Sequence, residues 1–330
     1  MQNNTQGISV VIPNYNGMEL LPQTLPTVFK ALQKQPLPFE VIVCDDASTD
    51  ESVLYVKQHY PEIKLIVEEE NAGFAATAND GIRQAAFDWV LLLNSDVKLT
   101  PDYFKALLPY MHKPDCFAVM GRIVGWQDEE IQDGAKYPNR QGVKIKTSGN
   151  YLLEDMSQTS SLLTMYVSGA NMFLQKKIFD DIGQLNEIFS PFYVEDYELS
   201  LRAWRLGYKC YYEYNAVCHH KTSHTIKKQK EKTFVNRIYN RNKMFLHAIH
   251  LQKWSLYLWQ LQLLFECLGR AIIGQFYFLK AYEEYLRNSW EIKRSRNQLK
   301  KAAAGKKLKT VAEVMQQIKN FISNKPIIRF

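Results

Sequence analysis

The chain has 330 residues, of which 46% are apolar, so it is long enough to form one large or two ordinary domains with a hydrophobic core. Its five cysteines are odd in number and form no Cys-x-x-Cys pair. This argues against a disulfide framework and for reduced thiols in a cytosolic setting. Residues 1–6 show no basic region followed by an apolar stretch, so we expect no signal peptide.

The net charge of +7 conceals a strong asymmetry along the chain. Residues 1–220 carry 18 Lys and Arg against 28 Asp and Glu, which gives a net charge of −10. Residues 221–330 carry 23 Lys and Arg against 6 Asp and Glu, which gives +17. An acidic part beside a basic part indicates a catalytic body joined to a region that meets something anionic. Charge alone allows either a nucleic acid or an anionic membrane.

Strands and helices alternate in the first hundred residues. The predicted strands cover residues 8–13, 39–44, 63–67 and 89–93, and the predicted helices cover residues 18–34, 48–60 and 75–86. Ser48 is expected to cap the second helix, with Glu51 three residues later. This alternation is typical of a parallel sheet with right-handed crossovers.

From Thr100 onward the pattern becomes mixed. Strands are predicted at residues 117–123 and 208–212, and helices at residues 175–182 and 196–205 with Gly207 as a C-cap. The polar stretch 127–160 is expected to form a loop or a hairpin over the site. From about residue 233 the chain is predicted to be all-helical, and its apolar segment contains no clean run of about 18 apolar residues for a spanning helix.

Carboxylates follow two of the predicted parallel strands. Asp45 and Asp46 follow the second strand and Asp96 follows the fourth, while Pro13–Asn16 ends the first strand at the same edge. Ligands of open α/β sheets bind beyond these strand ends. A single such stretch would equally suit a solvated turn, but several converging strand ends favour a polar ligand site.

This site suits a nucleotide diphosphate. The carboxylate of Asp45 could accept the imide N–H of uracil or thymine, and a metal on Asp96 could neutralise a diphosphate leaving group. No Gly-x-Gly-x-x-Gly and no P-loop sequence follows the first strand, which removes the usual dinucleotide and P-loop signatures.

Four stretches, in this order and spacing, resemble family 2 glycosyltransferases, most closely the rhamnosyltransferase-like branch. They are Val10–Asn16, Val41–Asp50, Asn71–Gly81 and Leu92–Asp96. The resemblance covers about residues 8–245. It implies an α/β chain with a GT-A fold, in which helices flank a mostly parallel central sheet. It also implies a transfer that inverts the anomeric carbon and a divalent metal, Mg²⁺ or Mn²⁺.

The resemblance also implies roles for individual residues. Asp45 would contact the base, Asp46 would lie near the nucleoside, and Asn79 would lie near the ribose or the diphosphate. Asn94 replaces the first Asp of the family's Asp-x-Asp motif, so metal binding would depend on Asp96. The complete predicted nucleotide-sugar site consists of Pro13, Tyr15, Asp45, Asp46, Asn79, Asn94 and Ser95.

Glu195 and Asp196 stand at the N-terminus of a predicted helix, where the helix dipole favours carboxylates. They could simply cap that helix. They also resemble the family's Glu-Asp motif, which implies that Asp196 is the general base and Glu195 supports it. Glu198 could contribute but falls within the helix, and Arg202 and Arg205 are either surface groups or contacts to diphosphate or acceptor.

Two further motifs follow the same resemblance. His219 and His220 resemble the family's His followed four residues later by Ser, here Ser223, which favours His219 as a metal or diphosphate ligand. A purely structural role for either histidine stays equally open. Gly169 and Ala170 resemble the acceptor-side Gly-Ala turn and are expected to line the pocket.

We therefore expect a catalytic domain over residues 1–232, with a nucleotide-sugar half at about 1–100 and an acceptor half at about 101–232. A basic, helical region would follow over 233–330. The enzyme would transfer a sugar, rhamnose being one candidate, from a UDP- or dTDP-sugar to a saccharide acceptor. That acceptor would be lipid-linked, and the product would be a cell-surface polysaccharide.

The C-terminal region is expected to hold this cytoplasmic enzyme peripherally on the cytoplasmic face of the inner membrane. Trp254, Tyr257 and Trp259 in a basic surround suit an interfacial helix. Basic residues contribute roughly 1 kcal/mol each near anionic lipid. The same helices could instead form a homodimer interface, or simply pack with solvated Lys and Arg.

Two other functions compete with this one. A sugar nucleotidyltransferase would need a glycine-rich, basic phosphate loop after the first strand, and Asn14–Gly17 has none. A basic nucleic-acid-binding protein would interleave aromatic and basic residues on one platform, which the acidic first 220 residues oppose. We therefore expect no nucleic-acid partner.

Overall fold

The computed structural model describes residues 6–157, 159–221 and 232–330. Its first part alternates strands and helices as the apolar pattern predicts. These elements are β1 (Ile8–Asn14), α1 (Leu21–Gln33), β2 (Phe39–Asp45), α2 (Ser52–His59), β3 (Lys64–Val67), α3 (Phe74–Arg83) and β4 (Trp89–Leu93). All five residues of β4 are buried, as a continuous apolar run in a covered parallel sheet requires.

The middle of the chain adds the second half of the sheet. Its elements are β5 (Val97–Leu99), α4 (Tyr103–Leu107), a 3₁₀ helix (Leu108–His112), β6 (Cys116–Gly125), β7 (Ile131–Asp133), β8 (Ala135–Gln141), β9 (Lys144–Leu153), β10 (Ser161–Leu163), β11 (Asn171–Gln175), α5 (Lys176–Ile182), a second 3₁₀ helix (Glu187–Phe189), α6 (Glu195–Leu206) and β12 (Lys209–His220). Gly207 ends α6 in the left-handed conformation, at φ +105°, as predicted.

The C-terminal part contains α7 (Lys232–His250), α8 (Lys253–Ile272), α9 (Phe276–Arg287), α10 (Ser289–Ala302), α11 (Val311–Ile322) and β13 (Ile327–Arg329). The all-helical prediction is wrong at β13, which pairs antiparallel with β9. Local periodicity could not reveal this strand because its backbone partners lie more than 170 residues earlier in the chain. Of the helices that the structure describes, none has the length and apolar character needed to span a membrane.

The main sheet has ten strands, and its principal order is β10-β12-β6-β11-β4-β1-β2-β3. The strands β1, β2, β3, β4, β6 and β12 run in one direction, which confirms the mostly parallel sheet. The carboxyl ends of β1 and β2 pair Asn14 with Asp45, and the turn after β4 carries Asp96. The predicted polar edge therefore forms.

Two local predictions differ from the structure. Ser48 does not cap α2, which begins at Ser52 with Glu51 as its N-cap. The hydroxyl and N–H of Ser48 instead donate to the carboxylate of Asp45, at 2.6 and 2.8 Å. The predicted hairpin exists as β8 and β9, but it pairs with β13, and none of its described residues lines the cavity described next.

Candidate active site

A cavity of about 450 Å³ opens at the carboxyl ends of β1 and β4. The segment before α6 and the start of α6 form its opposite wall. Among the predicted site residues, those that line it are Pro13, Tyr15, Asp46, Asn94, Ser95, Asp96, Gly169, Ala170, Glu195 and Asp196. The fold thus brings together residues that are as much as 183 positions apart in the chain.

Asp96 supplies an unpartnered carboxylate oxygen to this cavity. Its Oδ1 atom is buried and accepts no hydrogen bond from the described residues. The nearest basic group is the imidazole of His220, whose Nε2 lies 3.4 Å from that oxygen. The two side chains meet because β5 and β12 pair antiparallel, which sets His220 opposite Val97.

Asp96 and His220 fit a divalent cation whose remaining ligands come from substrate. Magnesium is bound through one or two carboxylates plus substrate phosphates, and manganese also accepts imidazole. The described residues contain no cluster of three or more His, Cys, Asp or Glu side chains that could hold a metal alone. The unpartnered Oδ1 of Asp96 therefore has a ready use in a complex with a diphosphate.

The structure does not bring His219 into the cavity. Its Nδ1 atom lies 2.9 Å from the carbonyl oxygen of Gly125, on the neighbouring strand. Because successive residues of a strand point to opposite faces, only one of the two histidines can face Asp96. Ser223, which favoured His219 in the sequence, lies outside the described residues.

The two carboxylates after β2 have different surroundings. Asp45 is buried, accepts hydrogen bonds from Asn14 and Ser48, and does not line the cavity. Asp46 lines the cavity while its carboxylate accepts the N–H groups of Ala72 and Gly73, at 2.8 and 3.0 Å. Asp45 thus holds the strand ends together, and Asp46 is the member of the pair that a ligand can approach.

Asn79 also lies away from the cavity. Its amide nitrogen donates to the carbonyl of Leu185 and to the carboxylate of Glu187, both at 2.9 Å. Its amide oxygen accepts the N–H of Leu185 at 3.0 Å. Asn79 therefore fastens α3 to the segment before α6 and has no hydrogen-bonding group left for a ribose.

Glu195 and Asp196 enter the cavity from the N-terminus of α6. The Oδ2 atom of Asp196 accepts the N–H of Gly169 at 3.0 Å, and its Oδ1 accepts the N–H of Tyr197 at 2.7 Å. The Oε2 atom of Glu195 is buried without a hydrogen-bond partner among the described residues. These contacts orient Asp196 and leave Glu195 poorly compensated.

Burial separates the proton affinities of the two acids. It raises the pKa of Glu195 to about 8, and the adjacent charge of Asp196 raises it further. Burial also raises the pKa of Asp196, but the N–H groups of Gly169 and Tyr197 and the ammonium of Lys136 favour its ionised form. At neutral pH Glu195 therefore holds a proton while Asp196 is the better proton acceptor.

The turn before α6 is held by a residue that sequence reasoning missed. Asn242 on α7 is fully buried, and its amide nitrogen donates to the carbonyls of Phe189, Phe192 and Tyr193 at 2.6, 3.0 and 2.9 Å. Tyr193 and Val194 both have positive φ, at 75° and 77°, a conformation that is costly for a β-branched residue. No motif in the sequence marks Asn242, because its partners lie about 50 residues earlier.

A family model described as glycosyl transferase family 2 matches residues 9–183, more than half of the chain. The chain belongs to this family. The match includes the strand ends, Asp46 and Asp96, whereas Glu195, Asp196 and His220 lie beyond it. Membership decides against the nucleotidyltransferase and the nucleic-acid-binding protein as rivals, and the chain is a glycosyltransferase.

Relatives in the family point to saccharide transfer. An uncharacterised glycosyltransferase of Bacillus subtilis, YwdF, is 29% identical over 199 residues, which is 59% of this chain and 67% of the relative. The N-acetylglucosaminyl-diphospho-decaprenol L-rhamnosyltransferase of Mycobacterium tuberculosis is 24% identical over 249 residues, which is 67% of this chain and 78% of the relative.

The architecture of this family 2 glycosyltransferase agrees with solved structures. GalNAc-T7, in a crystal structure with UDP, GalNAc and Mn²⁺, superimposes with a TM-score of 0.68 at 15% sequence identity. The superposition covers 98% of this chain and 59% of that protein, so it compares only part of the larger molecule. This likeness confirms the GT-A fold.

The buried charges behind the cavity answer the question left open for Arg202 and Arg205. The carboxylate of Glu198 pairs with Arg202 and, at 3.1 Å, with Nε2 of His250. Burial acts to raise the pKa of Glu198, but Arg202 and His250 outweigh it and lower the pKa to about 2. Arg205 is buried and donates to the carbonyl of Lys309 at 2.9 Å. These groups brace α6 from behind and do not line the cavity.

Proposed function

We propose that this glycosyltransferase transfers a sugar from a UDP- or dTDP-sugar to a saccharide acceptor, with inversion at the anomeric carbon. The observation that supports it is the joint presence of Asp96 and Asp196 in one cavity. Asp96 presents an unpartnered carboxylate oxygen for a cation, and Asp196 presents a carboxylate oriented by backbone N–H groups. These are the two groups that a metal-assisted in-line displacement needs.

For the donor, we assign the nucleoside to the part of the cavity formed by Pro13, Tyr15 and Asp46. Asp46 replaces Asp45 as the carboxylate nearest the base, since Asp45 is turned away from the cavity. Asn94 and Ser95 lie next to Asp96 and would contact the sugar diphosphate. UDP in the GalNAc-T7 structure makes a uracil nucleotide the first candidate.

The chemistry then follows from the two acids. Asp196 takes the proton of the acceptor hydroxyl as that oxygen attacks the anomeric carbon, and the bond to the diphosphate breaks on the opposite side. Glu195, which holds a proton at neutral pH, keeps a second negative charge away from the base. A divalent ion on Asp96 and His220 would neutralise the charge of the departing nucleoside diphosphate. Gly169 and Ala170 line the side on which Asp196 lies, where the acceptor would bind.

The acceptor class and the cellular setting rest on the relatives. The mycobacterial relative is named for rhamnosyl transfer to a lipid-diphosphate-linked N-acetylglucosamine, and it spans the cavity residues of this chain within its 249-residue match. We therefore propose a lipid-linked saccharide acceptor, cell-surface polysaccharide as the product, and work at the cytoplasmic face of the membrane. The division into a catalytic domain over 1–232 and a basic helical region over 233–330 stays a prediction.

Calorimetry with free nucleotides tests the donor site directly. UDP, dTDP, GDP and ADP would be titrated with and without Mn²⁺ into the wild type, Asp96→Asn, and the control Asp155→Asn, which changes an exposed acid away from the cavity. We expect Mn²⁺-dependent binding of UDP or dTDP that Asp96→Asn weakens at least tenfold and the control leaves unchanged. Absence of binding by every nucleotide, or equal binding by Asp96→Asn, would contradict the proposal.

A further inference from the structure

The helix α8 carries a continuous row of exposed apolar side chains. Its opposite face, with Trp259, Leu263 and Cys267, is buried against the rest of the protein. The exposed row consists of Trp254, Leu258, Leu261, Phe265, Leu268 and Ile272, whose exposed fractions are 76, 47, 37, 74, 63 and 85%. None of the described residues covers this row.

The row is too large to be an ordinary feature of a free surface. At roughly 200 Å² for a large apolar side chain, the six residues expose on the order of 750 Å². The largest apolar patch of a typical monomer is about 300–600 Å², whereas a stable interface buries about 800 Å² per partner. The exposed area of the row therefore matches one side of a protein interface.

The spacing of the row indicates what kind of surface covers it. The intervals between successive residues are four, three, four, three and four, which is the 3.5-residue period of a left-handed helix pair. A flat membrane surface imposes no such period. A helix of matching period does, because side chains of one helix fill the gaps between those of the other.

Charge also separates these two occupants. An interfacial membrane helix carries Lys and Arg along the margins of its apolar face. On α8, Glu266 is paired with Lys144, and Arg270 is bonded to Gln275. The remaining charged residue, Lys253, is the first of the helix. The margins of the row are therefore uncharged, as suits a protein partner.

The partner helix that fits is α8 itself, in antiparallel orientation. Reversing the row about residue 263 maps it onto itself, since Trp254 and Ile272, Leu258 and Leu268, and Leu261 and Phe265 are each equidistant from that position. A two-fold axis at this level would set each large residue against an apolar partner. The margins match as well, because Tyr257 would meet Ala271 and Ser255 would meet Gly269, a larger residue against a smaller one each time.

We infer that the protein forms a two-fold symmetric dimer in which the α8 helices of two copies pack antiparallel along this row. Gly269 fits the inference, because nothing lies within 4 Å of the position where a Cβ would stand. A glycine inside a helix costs about 1 kcal/mol relative to alanine, and close approach of a second helix is a reason to keep one.

The first test measures mass in solution by light scattering and sedimentation over a range of concentrations. We expect wild type to have twice the 38.5 kDa chain mass. Phe265→Glu should weaken dimerisation at least about 100-fold, because the substitution acts twice across the axis. The control Leu54→Glu changes a residue of α2 that is 52% exposed, and it should stay dimeric. Circular dichroism and nucleotide binding would verify that both variants fold.

The second test determines orientation with a short bismaleimide, against wild type in which all five cysteines are buried. Leu264→Cys lies near the axis and should cross-link to its copy. Trp254→Cys should not, because at 1.5 Å per residue it would lie about 27 Å from its copy. Efficient cross-linking of Trp254→Cys would overturn the antiparallel arrangement. A monomeric wild type, or one that binds anionic vesicles through Phe265 as a monomer, would overturn the dimer.

Discussion

Nε2 of His220 lies 3.4 Å from Oδ1 of Asp96, and both atoms belong to the wall of one cavity. Each residue by itself would be ordinary, an acid in a turn and a histidine at a strand end. Together they leave a buried carboxylate oxygen without a hydrogen bond beside an imidazole that can bind a cation. A cation held here would have two protein ligands and room for the oxygens of a diphosphate.

We predict that His220→Ala weakens Mn²⁺-dependent UDP or dTDP binding at least about tenfold, since one of two protein ligands is lost. The control is the adjacent His219→Ala, which removes an imidazole that contacts the carbonyl of Gly125 and does not line the cavity. Both would be measured by calorimetry with and without Mn²⁺. A larger loss in His219→Ala than in His220→Ala would reverse our assignment of the ligand.

Asp196→Asn should lower turnover by about 10²–10⁴, because the amide cannot accept the proton of the acceptor hydroxyl. Nucleotide binding should persist, since Asp96 and Asp46 are untouched. Glu195→Gln should retain turnover within about tenfold of wild type, because it imitates the protonated form that Glu195 has at neutral pH. The assay would follow release of the nucleoside diphosphate with a lipid-diphosphate-linked N-acetylglucosamine as acceptor. A reversed order of the two variants would identify Glu195 as the base.

The raised pKa of Glu195 also predicts how stability depends on pH. Burial raises that pKa from 4.5 to about 8, so between these values the folded protein keeps a proton that the unfolded chain has released. Stability is therefore lost as the pH rises through this interval. Glu195→Gln has no such proton to lose, and it should be more stable than wild type above pH 8 by on the order of 2–4 kcal/mol. Urea unfolding at pH 5 and pH 8.5 would measure this, and a difference that does not grow with pH would contradict it.

The sequence was sufficient to predict the strand ends and the acids they carry. Apolar runs that stop at Asp45, Asp46 and Asp96 are local patterns, and the sheet that collects their ends follows from alternation of strands and helices. Which member of each adjacent pair faces the ligand was not predictable in this way. The choice between Asp45 and Asp46 depends on hydrogen bonds from Asn14, Ser48 and Ala72, which come from three different loops.

Long-range contacts explain the remaining differences. His220 rather than His219 meets Asp96 because of the register between β5 and β12, which are more than 100 residues apart. Strand β13 depends on pairing with β9, and the basic Lys136 that favours ionisation of Asp196 lies 60 residues before it. None of these relationships leaves a periodic trace in the sequence. The resemblance to the family supplied the role of Asp196, because a helix N-terminus alone would equally have suited a capping pair.

The amide of Asn242 offers a last test, since it holds the turn that delivers Glu195 and Asp196. Asn242→Ala leaves three buried carbonyls without their donor, and each unsatisfied group costs about 1–3 kcal/mol. We expect a loss of stability of about 2–4 kcal/mol, and in the folded fraction a lower kcat with nearly unchanged nucleotide binding. The second effect arises because Tyr193 and Val194 could leave their positive φ values and shift Asp196. Asn240→Ala is the matched control, because that side chain donates only to the carbonyl of Asn236 in its own helix, at 2.7 Å. Equal turnover in the two variants, measured under conditions where both are folded, would show that the turn keeps its shape without Asn242.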